Sequence, residues 1–339
     1  MQIILKNHSL NNLNTLRCRS VAANFIELTD IDLLSEVSDF IEKTNSKFFV
    51  LGGGSNLILP EKYDGLVIYN KLSGIDCIEE HSEYVLIKAM AGVIWDEFVA
   101  YTINKGWFGL ENLSLIPGTV GASPIQNIGA YGAEVADFIE YVEVYDIQTN
   151  TVKQINNAGC NFSYRNSIFK LRPNYIVIAV TFRLLKDAIL NYKYADLSKC
   201  LTDITNFTAL DLRNCIIKIR QAKLPDPNQI GNVGSFFHNP ILNNAKVNPL
   251  KLAYPGIPVY ILDDDNSKVS AGWLIDNLGL KGFRQNNLGV YPKQALVLVN
   301  YDSSTQTEVL EFARMIQDKV KAKYGISLNI EPIIISKGG

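Results

Sequence analysis

The sequence is short of the features that most often announce a function. Histidine occurs three times in 339 residues, as His8, His81 and His238. These are too scattered for a metal cluster or a Ser-His-Asp triad, so no metal is expected. Cysteine occurs five times, as Cys18, Cys77, Cys160, Cys200 and Cys215, and no CxxC pair is present. An odd, dispersed set argues against a disulfide framework and a zinc site. It fits thiols that act as small hydrophobes in a reducing cytoplasm. Neither sign of charge is in excess: 32 Lys+Arg against 34 Asp+Glu leave a net charge of −2. No basic block stands out, so nucleic acid is not an expected partner. Long apolar runs are missing too. YIVIAVTF (175–182) is far too short to span a bilayer. MQIILKNHSLNNLN at the start lacks a basic segment followed by a long apolar one, so neither a membrane partner nor a signal peptide is expected.

What is present reads as a globular chain with a sizeable core. Apolar residues make up 47% and charged residues 19%, and the length allows two or three domains. IDLLSEVSDFIEKT (31–44) places Leu34, Val37 and Ile41 on one helical face. FFVLGGGSNLIL (48–59) reads as a strand, a glycine turn and a second strand. YVLIKAMAG (84–92), YVEVYD (141–146) and YIVIAVTFRLL (175–185) read as strands. VIWDEFVAYTINKG (93–106) reads as a helix stopped by Gly106. LRNCIIKIRQAKLPDP (212–227) reads as a helix stopped by Pro225, with Leu212, Ile216, Ile219 and Lys223 on one face. The last long helix opens with the capping-box pattern TQTE (305–308) and ends at Gly325. ISLNIEP (326–332) then alternates as a strand, with Ser327, Asn329 and Glu331 on its polar face. Strands and helices without a regular βαβ repeat predict an α+β fold.

Two glycine-rich loops carry the first functional signal. LGGGSN (51–56) matches the dinucleotide fingerprint at Gly52 and Gly54, but the third position falls on Leu57 and a strand follows, so it is not a Rossmann turn. A P-loop sequence is absent. Consecutive backbone N–H groups in such a turn can still cradle a phosphate. IPGTVGASPIQNIGAYGAE (116–134) is denser in Gly and Pro than a helix or strand tolerates. Its apolar Val120, Ile125 and Ile128 mark it as packed, and long ordered loops are usually functional. Two such loops suit a large ligand with a pyrophosphate and flat rings. NVGSFFHNP (232–240) adds a hydroxyl, Ser235, set among apolar residues after a glycine. DDDNS (263–267) lacks the glycine and terminal glutamate of a calcium loop and reads as a hairpin turn.

These segments together resemble the UDP-N-acetylenolpyruvoylglucosamine reductases, flavoenzymes of peptidoglycan precursor synthesis. The resemblance rests on NHSLNNLNT (7–15), LGGGSNLIL (51–59), GLENLSLIPGTVGASPIQNIGAYGAE (109–134), FSYRNSIFK (162–170), KLPDP (223–227), NVGSFFHNP, SAGWLID (270–276), KQALVLVN (293–300) and IEP (330–332). It runs from end to end of the chain. NYKYADLS (191–198) is similar to the longer of the family's two subtypes.

The resemblance implies three domains. Residues 1–70 with 326–339, and residues 71–224, form an FAD-binding unit of the PCMH/vanillyl-alcohol-oxidase type; residues 225–325 form an α+β substrate-binding domain. FAD is implied as a non-covalent cofactor. Its contacts would be Gly52, Gly53, Gly54, Ser55 and Asn56 of the first loop, and Pro117, Gly118, Gly121, Ser123, Pro124, Ile125, Gln126, Asn127, Gly129, Ala130, Tyr131 and Gly132 of the second. Neither loop has a His or Cys for covalent attachment. The implied reaction passes a hydride from NADPH to FAD and then to the enolpyruvyl ether of UDP-N-acetylglucosamine, giving UDP-N-acetylmuramate. Ser235 matches the family's general acid, Arg165 its arginine at the substrate carboxylate and Glu331 its acidic partner. Tyr194, Lys223, Asn239 and Gln294 match substrate contacts, Gln294 as the start of a strand. His238 has no implied role and reads as a loop side chain that adds charge near the phosphates. Another FAD-dependent oxidoreductase of the same fold would keep both glycine loops but would not need FSYRNS, GSFFHNP and IEP. A non-enzymatic regulator would be free to lose Ser235, Arg165 or Glu331, and all three are present. A monomer in the cytoplasm, bound only to small molecules, is the expectation.

Overall fold

The computed structural model describes residues 4–338. Residues 1–3 and 339, assigned above to the ends of the first domain, lie outside the described residues. Helix and strand alternate irregularly, and the chain is α+β as expected.

The first sheet is built from β1 (Leu5–Ser9), β2 (Val21–Leu28), β3 (Phe48–Leu51) and β5 (Lys62–Asn70), in the order β1-β2-β5-β3. Helix α1 (Leu33–Thr44) crosses from β2 to β3, and both strands lie parallel to β5. Leu34 and Val37 of α1 are fully buried, so the spacing read from the sequence sets its packed face. The short β4 (Leu57–Ile58) follows the glycine turn.

The second sheet is antiparallel throughout. It contains β6 (Ile75–Glu80), β7 (Tyr84–Met90), β10 (Ile139–Asp146), β11 (Thr151–Asn156) and β12 (Tyr175–Leu185), in the order β11-β10-β12-β7-β6. Helix α2 (Trp95–Asn104) packs Trp95, Phe98 and Val99 against Phe182 of β12. Between α2 and β10 runs the second glycine loop, which holds a 3-10 turn at Val120–Ala122 and the two-residue strands β8 (Gly129–Ala130) and β9 (Ala133–Glu134). Tyr145, Ile176 and Ile178 of this sheet share a core with Leu28 and Ile68 of the first and with Leu34 of α1. After β12 come α3 (Ala195–Leu201) and α4 (Ala209–Lys223), the latter ending two residues before Pro225.

The third part begins with β13 (Gly231–Ser235) and continues through β14 (Ile241–Asn243), α5 (Asn244–Ala253), β15 (Val259–Ile261), β16 (Asn266–Val269) and α6 (Ala271–Asp276). It closes with β17 (Arg284–Gln285), β18 (Leu288–Val290), β19 (Val297–Asn300) and α7 (Gln306–Tyr324). Two small sheets result, β13-β19-β18-β17 and β14-β16-β15. DDDNS forms the turn of the β15–β16 hairpin. Gln294 does not begin a strand: it sits in the turn before β19, with its Oε1 accepting from Leu296 N at 3.3 Å.

The chain then returns to its beginning. β20 (Ile333–Ile334) pairs in parallel with β4, beside the first glycine turn. The stretch 326–332 is not the ladder strand expected from its alternation. It makes one bridge, Phe237 to Ile330. The alternation still sorts burial, with Ile326 and Leu328 inside and Ser327 and Asn329 exposed.

The expectation against disulfides requires correction. Cys200 and Cys215 are joined, with Cα atoms 6.0 Å apart. The α3–α4 hairpin brings the two residues together over the apolar cluster of Leu197, Leu201, Leu212 and Ile216. A separation of fifteen positions, with no CxxC, gives no sign of that hairpin. Cys18, Cys77 and Cys160 are free thiols, and burial pushes Cys18 and Cys160 each up to about 12.

Candidate active site

The two glycine loops clasp each other. Ser55 Oγ donates to Pro117 O at 3.2 Å, and Asn56 donates to Gln126. At Gly53 no side chain is possible, because a Cβ would sit 2.8 Å from Gly118 Cα, backbone against backbone. Gly54 has φ +61°, and a Cβ there would fall 2.0 Å from Leu13 O. Among the described residues, the N–H groups of Gly52, Gly53, Gly54 and Ser55 donate to no acceptor in the chain. Unpaired consecutive donors in a tight turn make an anion-binding concavity. A cavity of about 430 Å³ opens between the loops, lined by Gly52, Gly121, Ala122 and Ile125. A second cavity, of about 1000 Å³, opens on the other side of Pro117 and Gly118. It reaches Asp96, Arg220, Asn232, Gly234 and Lys293. Donors for phosphate and flat apolar walls on either side suit FAD.

Ser235 directly follows Gly234, which lines that second cavity. A register shift between Asn232 and Ser235 breaks the β13–β19 ladder. Gly234 takes φ +69° there, although a Cβ would touch nothing, so glycine is needed for conformation rather than space. Asn232 pins the bulge: its N–H donates to Thr15 O at 2.9 Å, and its Oδ1 accepts from Gly234 N at 3.1 Å. Among the described residues, the Ser235 hydroxyl has no hydrogen-bond partner. Phe236 and Phe237 behind it are fully buried.

The return of the C-terminus carries Glu331 to the same place. Glu331 N donates to Phe236 O and His238 N to Asn329 O, both at 2.9 Å, and Ile333 N donates to Asn56 O at 2.9 Å. Glu331 thereby links the serine segment to the first glycine loop. Its carboxylate meets Arg165, whose Nε donates to Oε1 at 3.2 Å. Other guanidinium nitrogens of Arg165 donate to Asn127 O at 3.3 Å and Gly129 O at 2.9 Å, both in the second glycine loop. Arg165 lies in a tight turn closed by Ser163 and Asn166 and has φ +53°, unfavourable for residues other than glycine and asparagine or aspartate. Lys170 Nζ ties this turn down by donating to Arg165 O at 2.8 Å.

Charge in this cluster is poised. Burial pushes the Glu331 carboxyl above its ordinary value, and the Arg165 and Lys170 charges only partly oppose the shift. Burial also pushes Lys170 down. His238 is lowered by burial first, then by Lys170 and Arg165, and its Nδ1 lies 3.6 Å from Glu331 Oε2. His238 is thereby part of this cluster, beside Glu331 and Tyr164.

The remaining expected residues are placed as follows. Asn239 shares a cavity of about 420 Å³ with Tyr164, Arg165, Lys170 and His238. Its Oδ1 also accepts from Ala271 N at 2.9 Å, at the start of α6. Tyr194 caps α3, packs edge-on against Tyr131 of the second glycine loop at 5.5 Å, and faces Tyr260 of β15. Lys223 makes an exposed ion pair with Asp196, and both charges lie near Tyr131. Gln294 lies outside these cavities, although its neighbour Lys293 lines the largest.

Sequence reading passed over Asp96, Arg213 and Arg220. Asp96 accepts a bidentate pair from Arg213 at 2.7 and 2.9 Å and faces the large cavity. Those hydrogen bonds and charges pull its pKa below the ordinary value, although burial alone would raise it. Arg220 lines the same cavity with an unpartnered Nε. The signal was present, since residues seven apart on α4 share a face.

Fold and loops define a flavin-binding protein whose chain continues into two further small sheets. A family model described as an FAD binding domain matches residues 22–156. A second, described as the C-terminal domain of UDP-N-acetylenolpyruvoylglucosamine reductase, matches residues 226–335. The reductase of that name from Bdellovibrio bacteriovorus is 43% identical, over 97% of this chain and 99% of its own length. The one from Neisseria gonorrhoeae is 42% identical, over 98% and 97%. The crystal structure of the Thermus caldophilus reductase superposes with a TM-score of 0.68 at 23% identity, covering 98% of both chains. The chain belongs to the UDP-N-acetylenolpyruvoylglucosamine reductase family, and its cofactor is FAD.

Proposed function

We propose that this chain reduces the enolpyruvyl ether of UDP-N-acetylglucosamine to UDP-N-acetylmuramate, with NADPH as hydride donor, as a step of peptidoglycan precursor synthesis. Bound between the loops, FAD supplies a hydride carrier that accepts from one substrate and donates to the other. The chain supplies the rest. The observation that carries the reading is the convergence of Ser235, Arg165 and Glu331 where both glycine loops meet the serine segment.

Each residue has a task that fits its surroundings. The nest at Gly52–Ser55 binds the cofactor's phosphates. Arg165, fixed by Glu331 and two carbonyls, holds a positive charge where the substrate carboxylate gains electron density. Ser235 Oγ, free of protein partners, gives its proton to the carbon next to that carboxylate, and the adjacent cations stabilise the oxygen left behind. Glu331 orients Arg165, and its raised pKa lets it hold or release a proton near the serine. Asn239 bonds the sugar or nucleotide portion, Tyr194 lies near the substrate's phosphates, Lys223 faces its diphosphate or carboxylate, and Gln294 contacts the substrate. Binding at Lys223 requires its ion pair with Asp196 to open.

The proposed domain division is residues 1–70 with 326–339, residues 71–224 and residues 225–325. It is supported by the way the sheets partition along the chain. Among the described residues no helix is long and apolar enough to cross a membrane. Cytoplasmic location as a monomer, with small molecules and no nucleic acid as partners, completes the proposal.

The test is an anaerobic titration followed by flavin absorbance. NADPH should bleach the flavin, and the enolpyruvyl UDP-sugar should then restore the oxidised spectrum. Bleaching without recovery would exclude this substrate and leave an oxidoreductase of another specificity.

A further inference from the structure

We propose that Cys200 and Cys215 form a reversible thiol–disulfide site that tethers the Tyr194-bearing helix, so that its oxidation state sets affinity for the UDP-sugar. The inference rests on the Tyr194 assignment above.

The two cysteines join unequal partners. Cys215 lies on α4, which is anchored to the body of the protein by the bidentate Arg213–Asp96 pair and by buried Leu212 and Ile216. Cys200 lies on α3, which has only seven residues. A helix that short does not hold its shape without tertiary contacts. Its contacts are few: Leu197 and Leu201 on the α4 cluster, an exposed Asp196–Lys223 pair, and the Tyr194 ring against Tyr131. The chain on both sides is exposed, at 192–195 and again at 202–206. Besides the exposed connection that joins the two helices, the disulfide is therefore the covalent tie between α3 and the anchored α4.

The two sulfurs also differ in access. Cys215 is buried, whereas Cys200 is half-buried. A dithiol reductant can attack the Cys200 sulfur, expelling Cys215 as a thiolate that takes up a proton. The reductant's second thiol then resolves the mixed disulfide, freeing the Cys200 thiol and leaving the reductant as its own disulfide. Two electrons and two protons pass to the protein. Exchange with a low-molecular-weight disulfide runs the same steps backwards. In a reducing compartment, disulfides that do form are usually catalytic or redox-sensing rather than structural.

Tyr194 caps the tethered helix and reaches both Tyr131 of the glycine loop and Tyr260 of β15. With the tether closed, its position is set before the substrate arrives. With the tether open, binding must order the helix. The KM for the UDP-sugar should then rise about two- to tenfold, the cost of ordering one side chain and its support. The kcat and the KM for NADPH should change less than twofold.

Holoenzyme treated with oxidised glutathione, and the same protein treated with dithiothreitol, are compared. Thiol titration after denaturation should give three free thiols in the first and five in the second. The C200S/C215S variant should show the higher KM in both treatments. Five thiols after oxidation, or one KM for both redox states, would overturn the proposal. If the UDP-sugar is not turned over at all, the functional reading fails separately. Protease cleavage within 202–206 then decides the tether: faster cleavage after reduction supports it, and equal cleavage overturns it.

Discussion

Replacing Ser235 with alanine removes one oxygen and little else. The hydroxyl has no hydrogen-bond partner among the described residues, so no buried group is orphaned. The backbone around it is fixed independently by Asn232, Gly234 and the Phe236 N–H, which donates to Leu296 O at 2.8 Å. Stability should therefore change by no more than about 0.5 kcal/mol. Chemistry should change far more. Proton delivery by a positioned acid is worth on the order of 10²–10⁴ in rate, or about 3–5 kcal/mol of barrier. The loss should fall on one half-reaction only, because the hydride from NADPH needs no proton from Ser235. In anaerobic stopped-flow, flavin bleaching by NADPH should proceed within about twofold of the wild-type rate. Reoxidation by the enolpyruvyl sugar should slow by the full factor. S235C, whose thiol is a stronger acid than an alcohol, should fall between. Equal slowing of both half-reactions would refute the proton-donor role, as would unimpaired reoxidation.

Three further outcomes follow from the geometry. Because burial raises the Glu331 pKa, its ionised form costs folding stability as pH rises above the ordinary carboxylate range. Glu331→Gln should therefore keep or raise Tm at pH 8 while lowering kcat by about 10²–10⁴; a Tm loss of many degrees would contradict the burial argument. Gly53→Ala should abolish flavin retention, because its Cβ would meet Gly118 at 2.8 Å, whereas Gly106→Ala, with nothing within 4 Å, should keep its flavin and cost only about 1–2 kcal/mol for its φ of +74°; absorbance of the purified proteins reads the difference. Asp146 is buried, which opposes ionisation, yet hydrogen bonds from Lys153, Asn174 and Gln148 N hold it at about 2. Its contribution should be present above pH 3.8 and lost as pH falls toward 2, so Asp146→Asn should lower Tm by a few degrees at pH 7 and hardly at all at pH 2.

Local features of this chain were legible in its sequence, and long-range ones were not. The capping box at α7 could be read because its donors and acceptors lie three residues apart: Glu308 N donates to Thr305 Oγ1 at 3.2 Å, and Thr305 N to Glu308 Oε2 at 2.7 Å. The α1 face and the β12 run were legible for the same reason. Nothing local says that Ile333 pairs with Leu57, or that Cys200 meets Cys215. Alternation in 326–332 predicted that Ile326 and Leu328 face the core and Ser327 and Asn329 the solvent, because burial imposes that pattern whether or not a ladder forms, but it did not predict that Glu331 is largely buried. It did not predict that the segment makes a single bridge, since pairing depends on what the rest of the fold leaves beside it. The site residues were named by resemblance to a family. Their mutual geometry came only with the closure of the chain.

Backbone strain marks the same place by an independent route. Among the described residues, eleven non-glycine residues have positive φ, and seven of them are asparagine, which tolerates that region. The other four are Arg17, Leu115, Tyr131 and Arg165. A left-handed conformation costs such side chains roughly 1–3 kcal/mol each and persists only where surroundings impose it. Three of the four lie at the proposed site: Leu115 lines the large cavity, Tyr131 supports Tyr194, and Arg165 meets Glu331. Arg165 is over-determined by its bonds to Glu331, Asn127 O and Gly129 O and by Lys170 on its own carbonyl. Those bonds offset the strain and aim the guanidinium. Relaxing the turn would turn the side chain away from the two loops. A foldable chain has no structural reason to gather unfavourable dihedrals among the residues of one proposed site. Catalysis supplies a reason, because a charge that must be in place before the reaction cannot be left to find its own rotamer.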